Sequence, residues 1–328
     1  MNVTQGWRWH SPGTPEQLTL ETVKLPALGD REVLIENHMI AFNPVDWKLI
    51  ASPDSPWKAG HIPGVDGMGI ISAIGNSLHH LRIGARVTYH TNLKNNGSFA
   101  RHTIVPGRAV MAVPAAVSDA AAASLPCPGL TAWQALDKLP NMSGETLLVT
   151  AAAGSVGRYI VQLALQRNIR VFGSASREDH DWLQRLGVQA AADYYDKQWV
   201  NQLREANGGE PFHAIIDLVS SKQATELMAH LGYYGHIVSV VDRIGQNPQL
   251  PFTRCVSLHE IALGAQHEFG SDRQWHQLVR AGEAMLDQMA REALALPPMK
   301  IGEFADLPSL LNEFKTKGQG VKYLIKLS

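Results

Sequence analysis

The chain has 328 residues, 45% hydrophobic and 18% charged, with a formal net charge of −1. That length suits two domains, or one large domain with an insertion, and the near-neutral balance gives no electrostatic reason to expect nucleic acid or an anionic membrane as partner. Two cysteines, Cys127 and Cys255, exclude a disulfide framework and suit a reducing compartment. MNVTQGWRWHSPG lacks an apolar signal core and no apolar run is long enough to cross a bilayer, so the expected location is cytoplasmic.

The first third reads as β-rich. EVLIENHMIAF (Glu32–Phe42) alternates as a strand, GIISAIG and ARVTYH are shorter strands, and the turns between them suggest a barrel-like or sandwich-like unit. Within it, HIPGVDGMG carries Gly64, Gly67 and Gly69, which suit a tight turn or the close approach of another segment. Asp66 in that stretch suits a metal ligand, a turn cap or neither. Ser118 can cap the Ala-rich helix that begins SDAAAAS, with Asp119 in its first turn.

From Glu145 the pattern alternates. ETLLVTAAAG is an apolar strand, SVGRYIVQLALQRN has helical spacing, and IRVFGSAS is a second strand. DHDWLQRLGVQAAADYY reads as helix and short strand; PFHAIIDLVS, a helix from Ser221 to Leu231 and YYGHIVSVV follow. The alternation implies a parallel sheet covered by helices on both faces. Residues from Trp275 onward read as one long helix and a closing strand, VKYLIKL, so the α/β unit is expected as an insertion between two parts of the first domain.

AAAGSVG (Ala151–Gly157) follows a strand and opens a helix. Its spacing Ala151–Gly154–Gly157 is the dinucleotide-binding pattern with alanine first: Gly154 admits the pyrophosphate, and Gly157 lets helix and strand pack closely. An NAD site normally has an acid about 20 residues further on. Here the second strand ends in Ser174, Ser176 and Arg177, a hydroxyl and guanidinium set that suits a 2′-phosphate, so NADPH is the expected cofactor. Glu178 and Asp179 fall one turn late and read as the start of the next helix.

With FNPVDWKL, IPGVDGMG, NGSFARHTIVP, SLPCPGLTAWQAL, AAAGSVG, DLVS and GVKYLIKL, the sequence resembles the medium-chain dehydrogenase/reductase superfamily, in its zinc-free quinone oxidoreductase branch. The resemblance implies a GroES-like β-rich catalytic domain (1–122 and 266–328) and an inserted Rossmann domain (123–265), with the active site in the cleft between them, in a homodimer or tetramer. Zinc-dependent relatives take their ligands from places held here by Asp46 and Val65, with Cys127 near the third, and their four-cysteine structural lobe is absent. His79, His80, His90 and His102 lack a ligand spacing, so no metal is expected.

Without a Lewis acid, hydride transfer is easiest to a quinone or an α,β-unsaturated carbonyl. Asn43, Asp46 and Lys48 are the candidates to line the catalytic cleft, with Lys48 as donor to the oxygen that gains charge or, alternatively, braced against Asp46. By resemblance, Thr131 lies near the nicotinamide and Ala153, Gly154, Ser155 and Val156 near the pyrophosphate. Ser174, Arg177 and Tyr194 (or Tyr195) match the adenosine-phosphate region, and Val219, Ser220, Val240 and Val241 the strand ends around the cofactor. Leu263 and Gly264 resemble the loop over the nicotinamide, and Lys322 matches a basic residue of the final strand. Trp47 and Trp57 are candidates for the substrate mouth. The leading expectation is an NADPH-dependent quinone or enone reductase acting on a small molecule, most simply as a homodimer. An enoyl-thioester reductase and a non-catalytic NADPH-binding sensor are the alternatives.

Overall fold

The computed structural model describes residues 3–318 and 320–327. It divides into two compact units, Met1–Leu130 with Gly264–Ser328, and Thr131–Leu263. The inserted range expected from sequence, 123–265, begins a few residues earlier; Leu130 packs in the first unit, beside Gly282.

In chain order, the first unit opens with β1 (Val3–Arg8), β2 (Thr19–Lys24), β3 (Glu32–Ala41), α1 (Pro44–Ala51), β4 (Asp66–Ile74), β5 (Arg86–His90), β6 (His102–Pro106), β7 (Val110–Ala112) and α2 (Asp119–Ser124). Helix α3 (Pro126–Asp137) leads into the second unit, which holds β8 (Thr146–Val149), α4 (Ser155–Gln166), β9 (Arg170–Ala175), α5 (His180–Leu186), β10 (Ala190–Asp193), α6 (Trp199–Ala206), β11 (Phe212–Asp217), α7 (Ser221–Leu227), β12 (Leu231–Ser239) and β13 (Ser257–Glu260). The first unit resumes with α8 (Gln266–Phe269), α9 (Asp272–Ala290), β14 (Met299–Glu303), α10 (Leu307–Lys317) and β15 (Lys322–Lys326). None of these helices is long and apolar enough to cross a membrane.

Strand β3 organises the first unit. Its alternating apolar residues Val33 and Ile35 pack with Ile71, Val87 and Tyr89 in one core. Ile40 joins Trp9, Phe42, Phe99 and residues of α10 in another. The sheet runs β14-β15-β3-β4-β5-β7, with β6 also on β3. The glycines of HIPGVDGMG divide by role. Gly64 turns the chain with a φ of +102°, whereas Gly67 and Gly69 lie inside β4. A Cβ on Gly69 would stand 1.9 Å from the Glu36 carbonyl oxygen, and one on Gly67 would enter the Tyr89 ring. Both glycines there serve close approach.

The second unit is a parallel sheet in the order β10-β9-β8-β11-β12-β13, the doubly wound order in which strand sequence reverses between β8 and β11. The apolar runs of β8 and β11 are buried on both faces, as parallel strands between helices must be.

Two expectations need correction. The helix expected over Ser221–Leu231 ends at Leu227, because Leu231 already begins β12 and pairs with Phe212. The chain after Trp275 holds two long helices and an extra strand, β14. MKIGE has only two apolar residues, Met299 and Ile301, and its backbone pairs with β15 from Met299↔Lys322 to Glu303↔Lys326. Trp57 is 9% exposed, stacks on His61 at 4.5 Å and donates from Nε1 to the Leu93 carbonyl at 2.6 Å.

Candidate functional site

The loop between β8 and α4 is built by close backbone contacts. Ala151 adopts a φ of +46° and donates its N–H to Ser174 Oγ at 3.3 Å, while Ala152 donates to the Ser174 carbonyl at 2.8 Å. Gly154 is the N-cap of α4 and brings no side chain to the helix's first N–H groups. A Cβ on Gly157 would lie 2.3 Å from the Ala151 carbonyl oxygen, so that position requires glycine. The start of a 12-residue helix at the carboxyl end of a central parallel strand suits a pyrophosphate.

The expected cofactor residues take different places in the structure. Ser174 is 1% exposed and its Oγ braces Ala151. Arg177 is exposed in the turn after β9 and has no ion pair among the described residues. Tyr194 is partly exposed, its ring 4.5 Å from that of Tyr195. Val219 and Ser220 follow β11, and Val240 and Val241 follow β12, at the same carboxyl edge of the sheet. Asp217, which the sequence reading did not single out, shapes that edge. Its Oδ2 accepts from the Val219 and Ser220 N–H groups at 3.1 and 2.9 Å, and its Oδ1 from Thr150 Oγ1 at 2.9 Å. Thr131 and Leu263 are each 7% exposed, and Gly264 is half-buried.

The first unit gathers a second group of polar residues. Asn43 is 3% exposed and its amide is engaged on both sides. Its Nδ2 donates to Asp66 Oδ2 at 2.8 Å, and its Oδ1 accepts from Lys322 Nζ at 2.8 Å. Lys322, 1% exposed, also donates to the Phe42 carbonyl at 3.0 Å and lies 4.0 Å from Asp66 Oδ2. Both oxygens of Asp66 accept from the Cys127 N–H at 3.0 Å, which ties β4 to the first turn of α3. Asp46 faces inward from α1; its Oδ2 accepts from the Asn43 N–H at 2.7 Å, and the Val65 backbone N–H also faces the buried carboxyl. Lys48, two residues on, is exposed, with its ammonium 5.9 Å from the centre of the Trp47 ring, so Asp46 and Lys48 do not pair. The geometry thus gives Asn43 and Asp46 to the interior and leaves Lys48 as the exposed polar group of α1.

Two carboxylates around one ammonium, sealed from water, cannot all be charged cheaply. Burial pushes the Asp46 carboxyl up to about 8, with the neighbouring Asp66 adding to the rise, and burial pushes Asp66 up to about 7 against the opposing pull of Lys322. Both values lie above those of the unfolded chain, so the native state holds protons that the unfolded state has released. The stabilisation is full at acid pH and is lost as pH rises from about 4 through 7 to 8. Asp46→Asn keeps an oxygen for the Asn43 N–H and removes one titration. Urea unfolding between pH 5 and 8 is expected to show a flatter stability profile, by up to about 1.4 kcal/mol per pH unit. An unaltered slope would remove Asp46 from the account.

A doubly wound sheet with a glycine-bordered loop at its switch point, carried on one chain with a β-rich unit, defines a two-unit dinucleotide-binding protein. Residues 29–115 match the alcohol dehydrogenase GroES-like domain, and residues 155–283 match the zinc-binding dehydrogenase family. Over 191 residues the chain is 32% identical to a chloroplastic quinone-oxidoreductase homolog of Spinacia oleracea, a match that takes in 56% of this chain and 58% of that protein. It is 25% identical to the quinone oxidoreductase of Sus scrofa, over 84% of both chains. The solved quinone oxidoreductase of Coxiella burnetii shares the fold at a TM-score of 0.81 and 21% identity, over 99% of this chain and 100% of that one. The chain belongs to the medium-chain dehydrogenase/reductase superfamily, in its quinone oxidoreductase branch, whose oxidoreductases bind nicotinamide cofactors.

One matched family is named for zinc, an ion that takes three protein donors at a catalytic site. At the places where the resemblance puts ligands stand Asp46, already accepting from Asn43, the apolar Val65, and Cys127. Beside them the oxygens of Phe42 and Asn43 hold the Lys322 ammonium. Among the described residues no group of three or more His, Cys, Asp or Glu side chains is arranged for a metal. This donor set does not fit zinc.

Proposed function

We propose that the chain is an NADPH-dependent oxidoreductase that reduces a quinone or an α,β-unsaturated carbonyl without zinc. The observation that carries this reading is Lys322: an ammonium, hydrogen-bonded to Phe42 and Asn43, stands beside the places where a catalytic metal would take its donors. An alkoxide then has no Lewis acid to stabilise it, which favours acceptors whose conjugation spreads the incoming charge onto oxygen. When bound, the reduced nicotinamide supplies the hydride. The chain's own residues do the rest. The first turn of α4 holds the pyrophosphate, Arg177 meets the 2′-phosphate, and Lys48 donates toward the oxygen that becomes negative.

The test is oxidation of NADPH by chelator-treated protein, offered a naphthoquinone and a short enone in parallel, with NADH as the control. Turnover with NADPH well above that with NADH is expected, and the favoured acceptor assigns the substrate class. Activity that vanishes with the chelator and returns with zinc would overturn the metal-free reading. Tight NADPH binding with no turnover on either acceptor would overturn the acceptor class.

A further inference from the structure

The dinucleotide reading leaves one buried cation in the second unit unused. Arg158 sits in the first turn of α4 and is only 5% exposed. Its Nε donates to the Ala153 carbonyl, inside the phosphate loop, at 2.7 Å. Its Nη2 donates to Asp179 Oδ1, in the turn after β9, at 3.0 Å. The guanidinium lies over the Trp182 ring of α5, 3.9 Å from its centre. Asp179's other oxygen accepts from Ser176 Oγ at 3.0 Å. One side chain therefore clips the loop at the end of β8 to the loop at the end of β9, and both oxygens of Asp179 are engaged.

The consequence is electrostatic. Asp179 lies four residues beyond the end of β9, past the place of a ribose-binding acid, but an unpaired carboxylate in this turn repels a 2′-phosphate held by Arg177. Arg177, Glu178 and Asp179 together carry one excess negative charge. Arg158 cancels it by pairing with Asp179, which leaves exposed Arg177 balanced only by its neighbour Glu178.

We propose that Arg158 is a positioning residue that sets the preference for the 2′-phosphorylated dinucleotide, by holding Asp179 away from the ribose position. The inference rests on the NADPH reading above. Its test is titration of wild-type protein, Arg158→Gln, Arg158→Lys and the double variant Arg158→Gln/Asp179→Asn with NADPH and NADH, followed by nicotinamide fluorescence, so that no acceptor is needed. Glutamine keeps a donor for the Ala153 carbonyl without the charge. The ratio of the two dissociation constants is expected to move toward NADH by about tenfold in Arg158→Gln. Most of the preference is expected to survive in Arg158→Lys and to return in the double variant, where the unpaired carboxylate is gone.

Equal weakening of both nucleotides in Arg158→Gln, with the ratio unmoved, would assign Arg158 a packing role and overturn the inference alone. So would a double variant whose preference stays as low as that of Arg158→Gln, or loss of the preference in a folded Arg158→Lys. Wild-type protein that prefers NADH would overturn the cofactor reading together with the inference.

Discussion

Lys322→Met is expected to destabilise the protein by about 3–5 kcal/mol, the cost of removing one partner from a buried charge group. The methionine fills similar space but withdraws the donor to the Phe42 carbonyl and Asn43 Oδ1, and leaves Asp66 without its facing cation. The loss should depend on pH in a defined direction. Without the ammonium, burial drives both carboxyls still higher than about 8 for Asp46 and about 7 for Asp66. More protons are then held in the native state than in the unfolded one across the neutral range, so stability falls more steeply as pH rises. Chemical unfolding at pH 5 and pH 8 is the measurement. A deficit that widens at pH 8 is the expected result. A deficit of the same size at both pH values would mean that Lys322 acts by packing and hydrogen bonding alone. Lys322→Arg should recover little, because the planar guanidinium is larger than the space closed around Nζ.

Gly157→Ala is expected to lose dinucleotide binding by more than tenfold and to destabilise the second unit by about 1–3 kcal/mol, occasionally more. The added methyl would meet backbone on two sides, the Ala151 carbonyl oxygen at 2.3 Å and the Ala152 Cα at 2.8 Å. Backbone cannot rotate aside as a side-chain tip can, so either the loop or the start of α4 must move. Either movement shifts the N–H groups that we propose for the pyrophosphate. Titration with NADPH, together with thermal unfolding, separates the two effects. A folded variant that binds as tightly as wild type would show that the loop tolerates the shift. Gly154→Ala should be milder for folding, since its Cβ meets the Ala151 carbonyl oxygen at 3.2 Å and the Ala151 Cβ at 4.0 Å.

These predictions draw on different levels of information. The phosphate loop was legible because its logic is local: an apolar strand, small residues at fixed spacing and an amphipathic helix lie within about twenty consecutive residues. The cap of α2 was legible for the same reason, and Ser118 Oγ does accept from the Ala121 N–H at 3.2 Å. The strand–helix alternation implied a parallel sheet, and the observed order β10-β9-β8-β11-β12-β13 is one arrangement that such alternation allows. Strand β14 was not read from the sequence, since one short alternation, Met299–Lys300–Ile301, is a weak signal, and its pairing with β15 is a contact between separated segments.

The sequence by itself therefore determined the elements that short-range periodicity, turn chemistry and glycine spacing control, and with them the family. Only the tertiary structure decided which charges leave water. Residues 43, 46, 66, 127 and 322 are dispersed along the chain, and no local pattern marks them as one group. β15 beside β3, and β4 beside β3, close the space in which Lys322, Asn43 and Asp66 meet. Arg158 likewise is buried because the turn carrying Asp179 and the ring of Trp182 pack on it. A side chain's charge state depends on what excludes solvent from it, and that is set by contacts between segments far apart in sequence.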